Sequence, residues 1–222
     1  FRLIPLPAKD ITMLVPFNSS ERACEAVSAV FRAGITPSAL EFVERDAIDW
    51  TMKYTDISVT ISEETKAHLL IEVDGNDMEV LYSDCEKIAS VMEKFDCGDI
   101  LIADSNSEKE NLWKLRRSIG EAVKNNSIYK EQDTVVPRAE LAKLLKGVKE
   151  IGNKYGFKSV CYGHAGDGNL HVNIIKGGMT DENWDNELPK GIREIFHLTK
   201  DLGGTISGEH GIGLVQKDYL DI

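Results

Sequence analysis

Two glycine-rich segments carry the histidines best placed to do chemistry. In GHAGDGNLHVNI, residues 163–174, Gly166, Asp167, Gly168 and Asn169 have the composition of a turn, so His164 and His171 flank a hairpin and their imidazoles can approach each other. Alternation in the second strand of that hairpin sets His171 and Asn173 on one face and Leu170, Val172 and Ile174 on the other. The apolar face packs and the polar face stays available. Two neutral imidazoles suit a borderline metal such as zinc, manganese or iron, which ordinarily takes a third protein ligand. SGEHGIG, residues 207–213, offers Glu209 for that place with His210 beside it, and its glycines let backbone approach a ligand closely. Two histidines and a carboxylate with open positions is a set that catalytic metals use. His210 then sits next to the metal without binding it. The plainer alternative is a hairpin with hydrogen-bonded histidines and an ordinary glycine turn, because six intervening residues is not a standard metal spacing. The conjunction of the two segments favours a site. His197, between Phe196 and Leu198, reads as packing.

The cations form a second group. Arg116 and Arg117 in LWKLRRSIGEAV point about 100° apart on a helix, so only one follows the stripe of Leu112, Leu115 and Ile119 inward. A guanidinium held against such a stripe seeks a carboxylate or a phosphate. Lys130, in SIYKEQD, is a further cation nearby. The alternative is that all three are solvated surface charges. No GxGxxG follows a strand and no Walker loop is present, so the chain carries no recognisable nucleotide site of its own. Trp50, Trp113 and Trp184 are scattered and form no stacking platform.

The elements that must position these residues follow from hydrophobic periodicity. ITMLVPF reads as a strand; Ser19 or Ser20 caps a helix with Ala23, Val27, Val30 and Phe31 on one face, and Gly34 stops it. SALEFVE is a second strand, a less regular polar stretch follows, and AHLLIEVDG is a third. Asp77 opens a helix bearing Val80, Leu81, Ile88, Val91 and Met92, and DILIAD is a fourth strand. Ser107 begins a helix that runs to about Asn125. Then come a short strand near DTVV, Pro137 at a first helical position, a helix to Tyr155, strands at KSVCYG and LHVNII, a helix over 182–202 and a last strand near GTIS. The order βαββαβ occurs twice. The expected fold class is therefore α+β: two ferredoxin-like units forming one antiparallel sheet covered by helices.

Composition bounds what such a fold does. The chain has 222 residues, 42% hydrophobic and 28% charged, which is enough for a substantial core and a soluble surface. A net charge of −11 repels phosphate backbones and anionic headgroups, so nucleic acid is not an expected partner. No run approaches the ~18 apolar residues that span a bilayer, and the first residues lack the apolar core of a signal peptide. A cytoplasmic protein is the default expectation. Cys24, Cys85, Cys97 and Cys161 show neither CxxC spacing nor the density of a disulfide scaffold, and read as reduced, buried small hydrophobes.

With these motifs in place, the chain resembles the C-terminal substrate (cap) domain of the FAD-linked 2-hydroxyacid dehydrogenases, a family that includes the glycolate oxidase FAD-binding subunit, D-lactate dehydrogenases and D-2-hydroxyglutarate dehydrogenase. The resemblance runs from ITMLVPFNSSERACEAVSAVFRAGITPSALEFVER through LWKLRRSI to SGEHGIGLVQKDYL, and GHAGDGNLH with SGEHGIG is its specific pair. It implies that His164, His171 and Glu209 hold a divalent metal, that His210 is the base, that Arg116 and Lys130 bind the substrate carboxylate, and that Asn173 contacts substrate. Where some relatives have a hydroxyl one helical turn after the arginine, this chain has Gly120. The resemblance also implies an organisation: residues 1–9 as a linker from an upstream FAD-binding domain, and residues 10–222 as the cap domain. Within the cap, subunits of about 10–106 and 126–210 are joined by the helix over 107–125. FAD would be bound mainly by that other domain, and the fragment alone would be inactive. A small 2-hydroxy acid is the implied substrate. The electron acceptor stays open, other oxidase subunits are possible partners, and the membrane would be met only peripherally through them. Two rival readings of the same residues are a metal-dependent hydrolase and a noncatalytic binding or assembly module.

Overall fold

Strand alternation and helix caps set the architecture seen in the structure, a computed structural model that describes residues 3, 5–57, 59–103 and 105–222. The first unit runs β1 (Lys9–Phe17), α1 (Ser20–Arg32), β2 (Ala39–Glu44), α2 (Arg45–Tyr54), β3 (Ala67–Gly75), α3 (Met78–Met92) and β4 (Leu101–Ile102). The connecting helix α4 (Asn106–Asn126) leads to β5 (Tyr129–Val135), α5 (Leu141–Tyr155), β6 (Lys158–Gly163), β7 (Asn169–Ile175), α6 (Asp181–Asn186) and α7 (Leu188–Asp201). Helix starts follow side-chain caps: Ser19, Asp77 and Ser105 accept from the backbone N–H groups of Arg22, Glu79 and Glu108.

All seven strands form one antiparallel sheet in the order β4-β1-β3-β2-β6-β7-β5. The order β4-β1-β3-β2 is ferredoxin-like, and β5-β7-β6 repeats three of its four positions, so the units meet edge to edge through β2 and β6. That seam is short, pairing Phe42 with Gly163 and Val43 with Tyr162. One face of the sheet packs on α1, α3, α5, α6 and α7 around Phe17, Phe42, Leu69, Ile71, Val172 and Phe196. The opposite face is covered by α2 and α4, through Val43, Ile48, Leu115, Ile119, Val160 and Tyr162. Burying each such large apolar side chain contributes roughly 1.5–3 kcal/mol.

Several expectations need correction. The polar stretch after β2 is the helix α2, whose inward face is only Ala47, Ile48 and Thr51, too short a stripe to stand out. The helix over 182–202 is two, because Pro189 in the first turn of α7 cannot continue the helix of α6. GTIS forms a single bridge, Thr205 to Val135, in place of a strand. Pro137 precedes a 3-10 turn, Arg138–Glu140, before α5 begins. DILIAD shortens to Leu101–Ile102, with its Asp104 outside the described residues. Phe1, Arg2 and Ile4 of the expected linker also lie outside them, while Lys9 already pairs with Gly75 in the sheet. His197 is exposed on α7. The four cysteines are free, three buried and Cys97 half-buried, and burial pushes the Cys161 thiol up to about 12. Among the described residues no helix is long and apolar enough to cross a membrane.

Candidate active site

Strand register decides which side chains meet. On β7, His171 lies opposite Asp133 of β5 and Tyr162 of β6, and Asn173 lies opposite Glu131. Paired residues share a face, so these five point to the side covered by α4. Glu41, two residues before Val43 on β2, joins them from the first unit. From α4, Arg116 replaces an apolar residue in the buried stripe Leu112, Leu115, Ile119 and Val123, while Arg117 is exposed.

The hairpin and the loop after α7 close over this floor. Glu209 Oε1 lies 3.2 Å from His171 Nε2 and 3.7 Å from His164 Nε2. Ligand atoms of His164, His171 and Glu209 all lie within 4.8 Å of one another. His210 stacks on the His171 ring at 5.1 Å between centroids, with its Nε2 3.8 Å from Glu209 Oε1. The donor set of two imidazoles and one carboxylate suits a borderline divalent metal, and His171 is buried while Glu209 is half exposed, which leaves an open side. Ligand atoms of Glu131, His171 and His210 also lie within 4.8 Å of one another, and His171 Nδ1 is 3.2 Å from Glu131 Oε1.

Asp133 holds the loop in place. Its Oδ2 accepts from three successive backbone N–H groups, Gly208 at 2.9 Å, Glu209 at 2.7 Å and His210 at 2.8 Å, and its Oδ1 accepts from Asn169 Nδ2 at 2.6 Å. Burial pushes the Asp133 carboxyl up, but these N–H groups outweigh it and hold the carboxyl below its ordinary value. Gly208 has no alternative here: a Cβ would lie 2.6 Å from Asn169 Nδ2 and from Val135 Cγ2. The hairpin turn has a similar demand at Gly168, at φ +78°, where a Cβ would lie 2.0 Å from the Val136 carbonyl oxygen.

Glu41 bridges the other two members. Its Oε1 is 2.8 Å from His164 Nδ1, and its Oε2 accepts from Arg116 Nε at 2.8 Å. Burial raises its carboxyl, yet the His164 hydrogen bond and the Arg116 charge prevail and leave it below the ordinary carboxylate value. The same bond raises the His164 imidazole against burial. Arg116 Nη2 is 2.6 Å from the same Glu41 Oε2, so guanidinium and carboxylate form a buried ion pair. Both polar atoms of Asn173 are buried without a hydrogen-bond partner among the described residues, and His171 Nδ1 is buried facing the carboxylates of Glu131 at 3.2 Å and Asp133 at 3.8 Å. Burial raises the Tyr162 phenol above its ordinary value and Glu131 adds to it. Asn173 lies close enough to oppose them without making a well-formed bond. Buried polar groups are ordinarily satisfied. The two unsatisfied Asn173 atoms on this floor, beside a buried ion pair and converging metal-type donors, suit a site completed by a polar ligand.

The structure thus brings together His164, His171, Asn173, Glu209, His210 and Arg116. Lys130 is not among them. It pairs with Ile174, so its side chain leaves the sheet on the opposite face, with Nζ 5.1 Å from the Trp184 ring centroid. Glu131 takes the site-facing position. The signal was parity: Lys130 shares its face with Thr134, opposite the buried Leu170, once the strand is extended back from DTVV. Glu41, Glu131, Asp133 and Tyr162 were also not identified as site residues from sequence. A carboxylate inside the apolar strand ALEFVE is the trace that Glu41 leaves. At Gly120, a Cβ would meet only the Tyr162 hydroxyl, 3.6 Å away, so a phenol stands beside the turn that follows Arg116.

Residues 6–221 match the family described as FAD linked oxidases, C-terminal domain. The chain is 34% identical over 224 residues to the glycolate oxidase subunit GlcD of Bacillus subtilis, covering 100% of this chain and 46% of that protein. It is 31% identical to a D-lactate dehydrogenase of Anaerostipes hadrus, covering 99% and 47%. The chain therefore spans about half the length of the curated relatives it matches. In three dimensions it is similar to p-cresol methylhydroxylase with substrate bound, at TM-score 0.66 and 14% identity over 93% of this chain and 46% of that one, a likeness of fold alone.

Proposed function

We propose, from the premise that this chain belongs to the family of FAD-linked oxidase C-terminal domains, that it forms the substrate-side portion of an oxidoreductase. The reaction is oxidation of a small 2-hydroxy acid, of the glycolate or D-lactate type, to the 2-oxo acid. The observation that carries this reading is the unpartnered buried amide of Asn173 and the buried Arg116 guanidinium beside the converging His164, His171 and Glu209.

His164, His171 and Glu209 would hold a divalent zinc, manganese or iron ion, which when bound supplies Lewis acidity toward a hydroxyl oxygen. FAD, held mainly outside this chain, supplies the acceptor for the hydride that leaves C2. The remaining work falls to side chains of the site. Arg116, one edge of its guanidinium held by Glu41, offers its remaining N–H groups as charge-assisted donors to the substrate carboxylate. Asn173, with both a donor and an acceptor unspent, orients the substrate's oxygen atoms. His210 stands at the exposed lip and takes the hydroxyl proton at a ring nitrogen, so the alcohol loses its proton to imidazole as its C–H hydride departs. Tyr162 and Leu115 close the floor against water.

Dye reduction by the intact protein with glycolate, D-lactate and D-2-hydroxyglutarate, set beside the His210→Ala variant, tests this reading. The expected result is turnover with one or more of these acids, and its loss in the variant with metal content unchanged. Turnover retained by the variant would remove His210 from its role. Ester or amide hydrolysis without 2-hydroxy acid oxidation would replace the reading altogether.

A further inference from the structure

Glu41 belongs to the first unit, yet its oxygens serve a histidine of the second unit and an arginine of the connecting helix α4. Oε1 meets His164 Nδ1 at 2.8 Å, and Oε2 takes the Arg116 Nε–H at 2.8 Å. The carboxylate is 6% exposed. An ionised carboxylate only accepts hydrogen bonds, so the proton of a neutral His164 must sit on Nδ1. Its Nε2 lone pair then points to the side where Glu209 Oε1 lies, 3.7 Å away. A carboxylate behind a metal-binding histidine fixes tautomer and ring orientation and raises ligand basicity. The same carboxylate compensates Arg116, whose charge would otherwise be buried alone against Leu112 and Ile119. Glu41 Oε2 holds Arg116 through Nε and lies 2.6 Å from Nη2, which fixes the orientation of the guanidinium plane.

We propose that Glu41 is a positioning residue shared by two functions: it sets His164 to bind metal through Nε2, and it aims Arg116 at the substrate carboxylate. This rests on the reading of His164, His171 and Glu209 as a metal set. Seated where β2 meets β6, it ties the geometry of metal and substrate binding to the junction of the two units. A single change there disturbs both, whereas a change at either partner disturbs one.

The test uses the intact protein, freed of metal and titrated with cobalt(II), followed by the visible absorption of the ion. Glu41→Gln, which keeps the shape but loses the charge, is expected to weaken cobalt affinity by roughly 10–100-fold and to raise KM for the hydroxy acid. Glu41→Asp, too short to span both partners, is expected to recover part of one effect. Unchanged cobalt affinity and KM in Glu41→Gln would overturn the proposal while leaving the metal reading intact. Absence of cobalt binding by the unmodified protein would instead defeat the metal reading, and this proposal with it. Should Glu41→Gln fail to fold, the ring nitrogens of His164 in the metal-free, unmodified protein at about pH 8.5 decide the matter by NMR. A proton on Nδ1 supports the proposal, and a proton on Nε2 refutes it.

Discussion

Replacing Asp133 by Asn is expected to release the loop that carries Glu209 and His210 while leaving the sheet folded. In the native chain one oxygen of Asp133 holds three successive backbone N–H groups at 2.7–2.9 Å, and the residue is 1% exposed. Hydrogen bonds to a charged acceptor contribute roughly 1.5–3 kcal/mol each, against about 1 kcal/mol for a neutral one. Asn keeps one neutral acceptor in a similar position, so the three bonds together lose about 3 kcal/mol. Opening of the loop should then become on the order of 100-fold more frequent. Amide hydrogen exchange at Gly208, Glu209 and His210 measures it directly. Faster exchange confined to these amides, with the central strands β2, β3 and β6 unchanged, is the expected result. Equal exchange in variant and native protein would refute the assignment of Asp133 as the clamp. The backbone bond from Gly208 N–H to the Asp133 carbonyl survives the change, so exchange at Glu209 and His210 is the more decisive pair.

Other outcomes follow from the same geometry. His68, buried in β3, has its imidazole pushed down to about 4 by burial first and by the Arg45 charge second. The unfolded chain binds that proton near pH 6.5, so the stability from keeping His68 neutral is full above pH 6.5 and is lost as pH falls toward 4, by up to about 3 kcal/mol. Urea unfolding at pH 7.5 and 4.5 should show a smaller pH difference in His68→Leu than in the native chain; equal differences would contradict it. Gly168→Ala, at φ +78° and 2.0 Å from the Val136 oxygen, should cost about 2 kcal/mol or more and displace the His164–His171 hairpin, read as a lower unfolding midpoint. Lys130→Met should leave KM for the hydroxy acid within about twofold, while Arg116→Met raises it at least tenfold, because loss of a charge-assisted contact costs over ~1.4 kcal/mol. A larger effect at Lys130 than at Arg116 would reverse that assignment.

The seven strands and the longer helices are legible because they are strongly periodic, whereas the expected doubling of βαββαβ fails at α2 and at the missing fourth strand of the second unit. α2 was hidden by a short inward face, and GTIS was too weak to form more than one bridge with β5. Turn glycines and alternation place His164 and His171 at one hairpin, with Asn173 on its polar face, without knowledge of distant strands, whereas the approach of Glu209 and His210 depends on where the loop after α7 is held. The partners of those residues were not legible. Glu41 reaches His164 across 123 positions of sequence, and Asp133 reaches His210 across 77. Such contacts depend on the order of strands in the sheet, which periodicity alone does not give. Lys130 shows the opposite failure, because one step of strand parity moves a side chain through the sheet.

The role of the His164, His171 and Glu209 set is tested by metal content alongside 2-hydroxy acid oxidation in the intact protein, before chelation, after it, and after return of zinc, manganese or iron. One divalent ion per chain at His164, His171 and Glu209 is expected, with oxidation lost and regained together with it. Full turnover after complete removal of the ion would contradict it, and would leave these three residues as direct contacts to the substrate.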